Sequence, residues 1–586
     1  MNISTIDLII IIAFLVGITL IGIFQMRNKR ETSDSFFLAG RDLKWPLIGL
    51  SLFAANISTI HLVGLAASGF NEGLVWGSFE WLAGISLILL AVIFAPFYFK
   101  SRVQTLPEFL ERRYDSRSRT VFAFIAILGA LFVHIGLSLY TGAIIFQRFF
   151  GISAWTSIFT LSALTLVYYL AGGLKAVVYT QAVQTGVLIF GSVALTIAGL
   201  MKLGVFMEES TLMANAAIDG SVQQLGFIDK FMMLIREGQL DVLHTNESIT
   251  ALTGSINEDF SANGFDTLSG SGLTWYAAFL GYPILGLWYW CSDQTIVQQV
   301  LAAKTKSDAQ RGPIFAGFLK LLTPFIMIVP GIIGYILFKQ DIYDAAHSAI
   351  PAVSRPGDVA LSVLIDKLLP VGLSGLFAAA LMAALMSTIA AALNSISTLV
   401  SVDIYKRVKP ETNDKSLIKI GRVAAICIMA LAAMWSTQGD KFSSVFEAIN
   451  KVAAALSPPV ATVLLLGVLY KRGTKEASLI TLISGLVLGM TLFVLDFKFT
   501  PTGTSIVTEV WGIPFMMQAW WSFCICVVIY LIVSKLTPKS DAKVIKEYTW
   551  ENPLAIVKGK IEKLNDIRVL VMLLLITIAA LYAIFS

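Results

Sequence analysis

The sequence predicts an all-α polytopic membrane protein, and three observations support this fold class. Of its 586 residues, 56% are hydrophobic and only 14% are charged, whereas an average soluble domain is about 25% charged. The apolar residues fall into runs of about 20, the length that an α-helix needs to cross a bilayer; a barrel strand needs only about ten. The four cysteines all lie inside apolar runs, which argues against a disulfide framework and against a zinc site.

About fourteen such runs follow one another along the chain, each long enough to cross the bilayer as a helix. The first run carries no basic residue at its start, so it is interpreted as a membrane span rather than a signal peptide. The predicted spans lie near residues 6–24, 44–69, 77–99, 119–147, 153–171, 174–201, 274–302, 311–338, 371–402, 416–438, 442–470, 476–495, 513–534 and 567–585.

The basic residues predict how these spans are oriented. If the first loop lies in the cytoplasm, 30 of the 43 Lys and Arg residues fall in inside connections and nine in outside ones. This asymmetry follows the positive-inside rule and places both termini outside the cytoplasm. The net charge of +5 is small and belongs to these loops, which makes nucleic acid a poor candidate for a partner. The short loops favour a bacterial inner membrane.

Polar residues or helix breakers interrupt three spans at mid-depth. The second span contains a small and polar patch at 52–61, the seventh contains Pro283 and then the run 288–294, and the ninth carries Ser387 and Thr388 among alanines. The second and seventh spans are five apart, which predicts two inverted five-helix repeats with broken first helices. Small residues also mark close helix packing, and hydroxyls bond to their own backbone, so both interpretations stay open for the ninth span.

An interrupted second span would leave backbone oxygens free for a ligand. Unwound carbonyls of Ala54 and Ile57, joined by the hydroxyls of Ser387 and Thr388, would form an oxygen-only cage with little formal charge. Hard oxygen ligands of this kind suit a hard cation. The sequence therefore indicates a monovalent cation rather than calcium at this position.

Two charged residues lie at depth, where each costs about 2.5–3.5 kcal/mol on insertion scales. Glu80 is near the outer end of the third span and Lys320 is about ten residues into the eighth. A structural ion pair is one interpretation. The other is a pocket for a hydroxylated solute, with the aromatic run 288–290 as its stacking faces. His134 is interpreted as an interhelical histidine with a satisfied hydrogen bond.

Several motifs in one order resemble those of the solute:sodium symporters, above all the sodium/glucose and sodium/galactose branch, from about residue 35 to 480. The resemblance implies a LeuT-type core of ten helices in two inverted repeats, with one extra helix before it and several after. The motifs are the runs 35–41, 54–58, 79–81, 172–180 and 288–299, with Asn394 and 403–406.

The resemblance implies a site for Na+ and a site for a sugar. The sodium ligands would be the carbonyls of Ala54, Ile57 and Ala384 and the hydroxyls of Ser387 and Thr388. The sugar site would use Asn56, His61, Glu80, Tyr289, Trp290, Lys320 and Asn450. Tyr289 would close the pocket from the inside, and the outer gate would be formed by Leu65, Phe79 and Phe446.

Three positions depart from the family pattern. The usual glutamine of the eleventh span is Asn450 here, followed by Lys451, which leaves sugar selectivity open. A common aspartate of the sixth span is Gln181, and members with a second sodium site have a serine where Ala391 stands. Loss of a carboxylate and a hydroxyl removes two ligands of such a site. We therefore predict one sodium per solute.

The predicted function is import of a glucose- or galactose-like sugar with sodium by alternating access, in an integral plasma membrane protein. The alternative is the same fold with a sugar acid, inositol or another small polar metabolite, since Lys320 and Lys451 could pair with a carboxylate. A membrane enzyme or sensor is disfavoured because the chain shows no nucleophile–base constellation and no sizeable cytoplasmic domain. A channel is disfavoured because the pocket is lined for binding. The oligomeric state stays open.

The predicted organisation has five parts. They are an N-terminal helix with a cytoplasmic loop (1–43), a first repeat (44–202), an extracytoplasmic loop (203–273), a second repeat (274–470) and additional C-terminal helices (471–586).

Overall fold

The fold class is confirmed, because every regular element in the described part of the chain is a helix. The structure is a computed structural model. It describes residues 4–24, 32–150, 153–217, 232, 234–265, 274–348, 355–437, 445–497, 505–550, 561 and 566–585.

The α-helices are numbered in chain order. They are α1 (Thr5–Phe24), α2 (Ser33–Leu38), α3 (Trp45–Asn56), α4 (Thr59–Asn71), α5 (Gly77–Leu89), α6 (Ala95–Ser101), α7 (Leu106–Arg113), α8 (Ser116–Gly129), α9 (Leu137–Phe150), α10 (Ala154–Ala217), α11 (Asn246–Ala262), α12 (Trp275–Gly286), α13 (Gln294–Leu301), α14 (Lys306–Thr323), α15 (Val329–His347), α16 (Ala360–Leu368), α17 (Leu373–Thr398), α18 (Lys406–Val408), α19 (Asp414–Ser436), α20 (Val445–Leu469), α21 (Lys475–Asp496), α22 (Phe515–Leu536), α23 (Ala542–Tyr548) and α24 (Ile567–Ile584).

Shorter helical turns join several of these helices. The 3₁₀ turns are Ala39–Arg41, Gly73–Trp76 and Pro356–Val359, and the π-helical turns are Leu90–Phe94, Ala130–Gly136, Leu287–Ser292, Pro324–Ile328, Leu399–Tyr405 and Ile506–Val510.

Eleven helices within the described ranges are long and apolar enough to cross a membrane, or twelve if the bent pair α3–α4 counts as one span. Two predicted spans fall short of that length. The fifth has a shorter apolar stretch, Ala154–Val167, and the seventh is divided into α12, a π-helical turn and α13. The protein is therefore an integral membrane protein, and the number fourteen stays a prediction.

The predicted interruptions of the second and seventh spans are observed. Helices α3 and α4 meet at an angle of 59°, because Ile57 leaves the helical region with ψ at 89°. In the seventh span, Asp293 has extended backbone (ψ 123°) between the π-helical turn and α13. Both breaks fall inside apolar sequence, where free backbone groups are costly unless they line a polar cavity or bind a ligand.

Helix α10 contains the fifth and sixth predicted spans, joined at Gly173. This glycine has φ 56° and ψ −158°, a conformation that L side chains rarely adopt. A β-carbon there would also lie 2.5 Å from the Phe36 carbonyl oxygen. The helix continues to Ala217, so the predicted loop 203–273 begins as helix rather than as irregular chain.

The second half of that loop is attached to the ends of the spans. The Leu74 amide donates to the Gln239 carbonyl at 2.8 Å, and the Ser78 hydroxyl donates to the Val242 carbonyl at 3.0 Å. Further along, Asp259 of α11 pairs with Arg236, and also with Lys339 of α15, at 2.7 Å each. These contacts hold the segment 236–259 against the start of the third span, which carries Glu80, and against α15.

Candidate functional site

A buried cluster of three polar side chains lies where the second, third and eighth spans meet. Lys320 of α14 is ion-paired with Glu80 of α5, and its ammonium donates to the Asn56 side-chain oxygen at 2.6 Å. Only 1% of Lys320, 3% of Glu80 and 7% of Asn56 is exposed. A charge so deeply buried is tolerated only when it is paired and hydrogen-bonded, and here each charge compensates the other.

Aromatic side chains from the broken seventh span lie beside this cluster. The Lys320 ammonium is 5.9 Å from the ring centre of buried Trp290, and Tyr289 forms a side-chain hydrogen bond with Asn56. The Tyr289 and Trp290 rings lie edge to face, 5.1 Å apart. The structure thus brings five of the seven predicted sugar-site residues together.

The other two predicted sugar-site residues lie on neighbouring elements. His61 is half-buried in the first turn of α4 and lies near Lys320. Asn450 is buried in α20, a helix that packs against α4 and against the π-helical turn Leu287–Ser292.

The predicted outer gate is only partly covered by the structure. Leu65 is fully buried in α4. The Phe79 ring lies 4.9 Å from that of Tyr282 and 5.2 Å from that of Trp76, two aromatic partners that the sequence did not single out. Phe446 belongs to the first turn of α20, and its side chain lies outside the described residues.

The break in the second span frees the two backbone carbonyls predicted to bind sodium. A continuous helix would direct the Ser58 amide to Ala54 and the His61 amide to Ile57. Instead, the Ser58 amide donates to Asn56 at 2.9 Å and the His61 amide donates to Ser58 at 3.0 Å. Ala54 and Ile57 therefore lose their helical partners at this point.

These two residues and Ala384 line one narrow cavity between α3, α10 and α17. Ser387 and Thr388 follow Ala384 by one turn of α17, and their hydroxyls donate to its carbonyl at 2.9 and 3.2 Å. A hydroxyl that donates in this way keeps its lone pairs as acceptors. The structure thus places three predicted ligands on the cavity and the other two beside it.

Gln184 also lines this cavity and was missed by the sequence reasoning. Only 1% of it is exposed, and neither its amide oxygen nor its amide nitrogen has a hydrogen-bond partner among the described residues. An unsatisfied buried polar atom costs about 1–3 kcal/mol. The signal that could have revealed it is the polar stripe of Gln181, Gln184 and Thr185 along one side of an otherwise apolar span.

A second buried pair stabilises the break in the seventh span. His134 contacts the Asp293 carboxylate at 2.8 Å, so this histidine has a partner on a neighbouring helix, as predicted. Asp293 also caps α13 by accepting from the Thr295 amide at 2.7 Å. The His134 ring lies 5.6 Å from that of Tyr289, so the pair fixes the backbone that carries the predicted inner gate.

A family model described as the Sodium:solute symporter family matches residues 36–485. The sodium/myo-inositol cotransporter 2 of Oryctolagus cuniculus is 33% identical over 559 residues, which cover 93% of this chain and 78% of the relative. The sodium/glucose cotransporter 1 of Sus scrofa is 31% identical over 547 residues, which cover 91% of this chain and 79% of the relative.

Among solved structures, the chain resembles the substrate-bound outward-open state of a Na+-coupled sialic acid symporter, with a TM-score of 0.68. The identity is 20%, and the match covers 92% of this chain and all of the other. At that identity the likeness shows the fold, and it confirms the predicted LeuT-type core.

These relatives are sodium-coupled transporters rather than enzymes, which confirms the predictions of a transporter and of Na+ as its coupling ion. The protein therefore binds sodium and a small solute within a membrane. Since the family model spans most of the sequence and relatives above 30% identity span nearly all of it, the chain belongs to the sodium:solute symporter family.

Proposed function

We propose that this symporter carries a neutral polyol, a hexose such as glucose or galactose, by alternating access with one sodium ion. The observation that carries this proposal is the mutual compensation of Lys320 and Glu80, which gives the pocket hydrogen-bonding groups without a net charge. Polar groups flanked by aromatic faces suit a ring with many hydroxyls.

The second pocket-adjacent lysine is engaged as well. Lys451, next to Asn450, pairs with Asp496 at 3.2 Å, and the same carboxylate accepts hydrogen bonds from the amide and hydroxyl of Thr508. Neither Lys320 nor Lys451 is therefore a free cation waiting for a carboxylate. This argues against the sugar-acid alternative.

Inositol is the second candidate solute. It is also an uncharged ring of hydroxyls, so the same pocket chemistry fits it, and the myo-inositol cotransporter named above is 33% identical to this chain. The proposal is tested with purified protein in proteoliposomes, measuring uptake of labelled glucose, galactose and myo-inositol. We expect uptake of one of these under an inward sodium gradient and little under an equal potassium gradient; equal uptake in both would contradict it.

Anionic analogues are expected to compete poorly for this uptake. A uronate would bring a carboxylate beside Glu80 without a free cation to pair with it, and an unpaired buried charge costs several kcal/mol. Glucuronate should therefore need a concentration at least about a hundredfold higher than unlabelled glucose or myo-inositol to inhibit uptake by half. Inhibition at similar concentrations would favour the sugar-acid alternative.

For sodium, we propose a site formed by the carbonyls of Ala54, Ile57 and Ala384 and the hydroxyls of Ser387 and Thr388. Gln184 would complete it directly or through a water molecule, which would satisfy its buried amide. Five or six neutral oxygens suit a monovalent hard cation. Sodium bound here would stabilise the broken helix that also carries Asn56, and so order the solute pocket.

We expect a stoichiometry of one sodium per solute. Gln181 and Ala391 are both buried, and neither offers the carboxylate or hydroxyl that a second site would need. Reversal potentials of the purified protein in liposomes, measured at several sodium and solute gradients, give this ratio directly. A ratio of two would show that a second site forms from other residues.

One sodium is enough to drive accumulation. An inward charge gains about 2.3 kcal/mol per 100 mV, and each tenfold sodium gradient adds about 1.4 kcal/mol. Together these support accumulation on the order of a hundredfold or more.

The distribution of basic residues supports both termini lying outside the cytoplasm, and we retain the bacterial inner membrane as the proposed location.

A further inference from the structure

A basic cleft lies on the face that the charge distribution assigns to the cytoplasm. It has a volume of about 490 Å³. We define the cleft by its lining residues: Asp34, Arg41, Arg102, Gln104, Glu108, Arg119, Val402, Lys406 and Arg407.

Some of these charges are already compensated. Arg119 pairs with Asp403 and Glu111, and Glu108 pairs with Arg112. Counting the lining residues and these partners together, six basic side chains face four acidic ones. A surplus of two positive charges therefore remains at the cleft. A phosphate group carries a negative charge of about this size.

The surplus lies on side chains that have no other role in the described structure. Arg102 and Lys406 form no side-chain hydrogen bond or ion pair within the ranges described. Burial lowers the pKa of Arg41 below its ordinary value although Asp34 and Glu108 raise it, and Arg102 adds to the lowering.

The backbone at the cleft is also held in an unfavourable conformation. Among the described residues, the only ones other than glycine with positive φ are Ala39, Arg41 and Arg102, with φ of 48° to 51°. The Arg41 guanidinium donates to the carbonyls of Arg102 and Val103 at 3.1 Å each, which links the two strained segments. Arg102 ends α6 in this left-handed conformation, and both arginines line the cleft.

We propose that this cleft binds a phosphate group, supplied either by an anionic lipid headgroup or by a soluble phosphate compound. Several guanidinium and ammonium donors around one cavity are the usual recognition pattern for phosphate oxygens. One wall of the cleft flanks the second and third spans, and the other belongs to the fourth and ninth. If the proposed alternating access is correct, these walls move relative to each other during transport. A bound phosphate would then hold them together and slow the change between the outward-facing and inward-facing states.

Binding is measured directly, so its outcome does not depend on the proposed function. Protein in phosphatidylcholine nanodiscs is titrated with inorganic pyrophosphate, and in a second arm nanodiscs containing phosphatidic acid are compared with phosphatidylcholine alone by thermal stability. Arg102→Gln/Lys406→Gln should weaken the affinity for pyrophosphate about tenfold or more, or, if the lipid is the ligand, reduce the stabilisation that phosphatidic acid gives. The control, Lys475→Gln/Lys535→Gln, removes two exposed charges from the same face and should leave binding unchanged.

Two results would overturn the proposal. One is wild-type protein that responds to neither ligand, and the other is an equal loss in both double variants, which would indicate a general charge effect. Melting temperatures in phosphatidylcholine alone check that both variants fold. The consequence for transport is tested separately: uptake that is unchanged by the bound ligand would refute the clamp while leaving the site intact.

Discussion

Lys320→Gln is expected to lower solute uptake at least about a hundredfold. The substitution leaves Glu80 as a buried, uncompensated carboxylate and removes the donor to Asn56. Breaking a buried pair by removing one partner costs about 3–5 kcal/mol, which corresponds to a factor of roughly 10² to 4 × 10³ in affinity if the loss falls on the pocket. Labelled-solute uptake at saturating sodium, with the melting temperature of the purified variant, measures both effects.

The double variant Lys320→Gln/Glu80→Gln separates charge from packing. It leaves two neutral amides that can hydrogen-bond to each other and removes both charges, so no buried charge stays uncompensated, and we expect it to regain much of the melting temperature that Lys320→Gln loses. Uptake should stay low, because the solute loses its charged hydrogen-bond partners. If the single variant Lys320→Gln takes up solute at the wild-type rate, the ion pair has no role in solute binding.

Ser387→Ala is expected to raise the sodium concentration for half-maximal uptake about tenfold or more, with a smaller effect on maximal uptake. A ligand bond to a charged group contributes about 1.5–3 kcal/mol, and this hydroxyl lies one turn from the cavity lined by Ala54 and Ile57. Gln184→Leu should act in the same direction. The measurement is sodium-dependent uptake in proteoliposomes at fixed solute.

Ser395→Ala is the matched control for Ser387→Ala. It makes the same substitution on the same helix at a position that is also buried, two turns away from the proposed ligands. Its sodium dependence should equal that of wild type. An equal shift in both variants would mean that α17 responds to any loss of packing rather than to loss of a sodium ligand.

The breaks in the second and seventh spans were predictable because the signal for each lies in the local sequence. The small and polar patch at 52–61 and the run 288–294 interrupt apolar spans, and a break there has few physical explanations. The burial of Glu80 and Lys320 was likewise predictable from the cost of charge at depth. Their contact with each other required the fold, because 240 residues separate them.

Other features could not be read from the sequence, because the partner is distant or the signal is not local. Lys451 was an isolated lysine until the structure placed Asp496 beside it. Gln184 became informative only when its amide was found buried beside the cavity with no hydrogen-bond partner in the described part of the chain. The extension of α10 to Ala217 was missed because Lys202, Glu208 and Glu209 interrupt the apolar run that marks the sixth span.

The two interpretations weighed for the charged pair are compatible in the structure. Lys320 and Glu80 are an ion pair, as the structural interpretation holds. They also lie with Asn56, Tyr289 and Trp290, as the pocket interpretation requires. A compensated pair can offer hydrogen bonds to a neutral solute without attracting an anion, which is the basis for preferring a polyol.

The central claim is that sodium at the broken second span orders the solute pocket beside it. Coupling between two ligands is reciprocal, so sodium must raise solute affinity by the factor by which solute raises sodium affinity. The most direct test is equilibrium binding of labelled glucose and myo-inositol to purified protein in sodium or in choline. We expect sodium to tighten binding of the transported solute about tenfold or more, and Ser387→Ala to shift this effect to higher sodium. Equal affinity in sodium and choline, for a solute that the protein transports, would contradict the account.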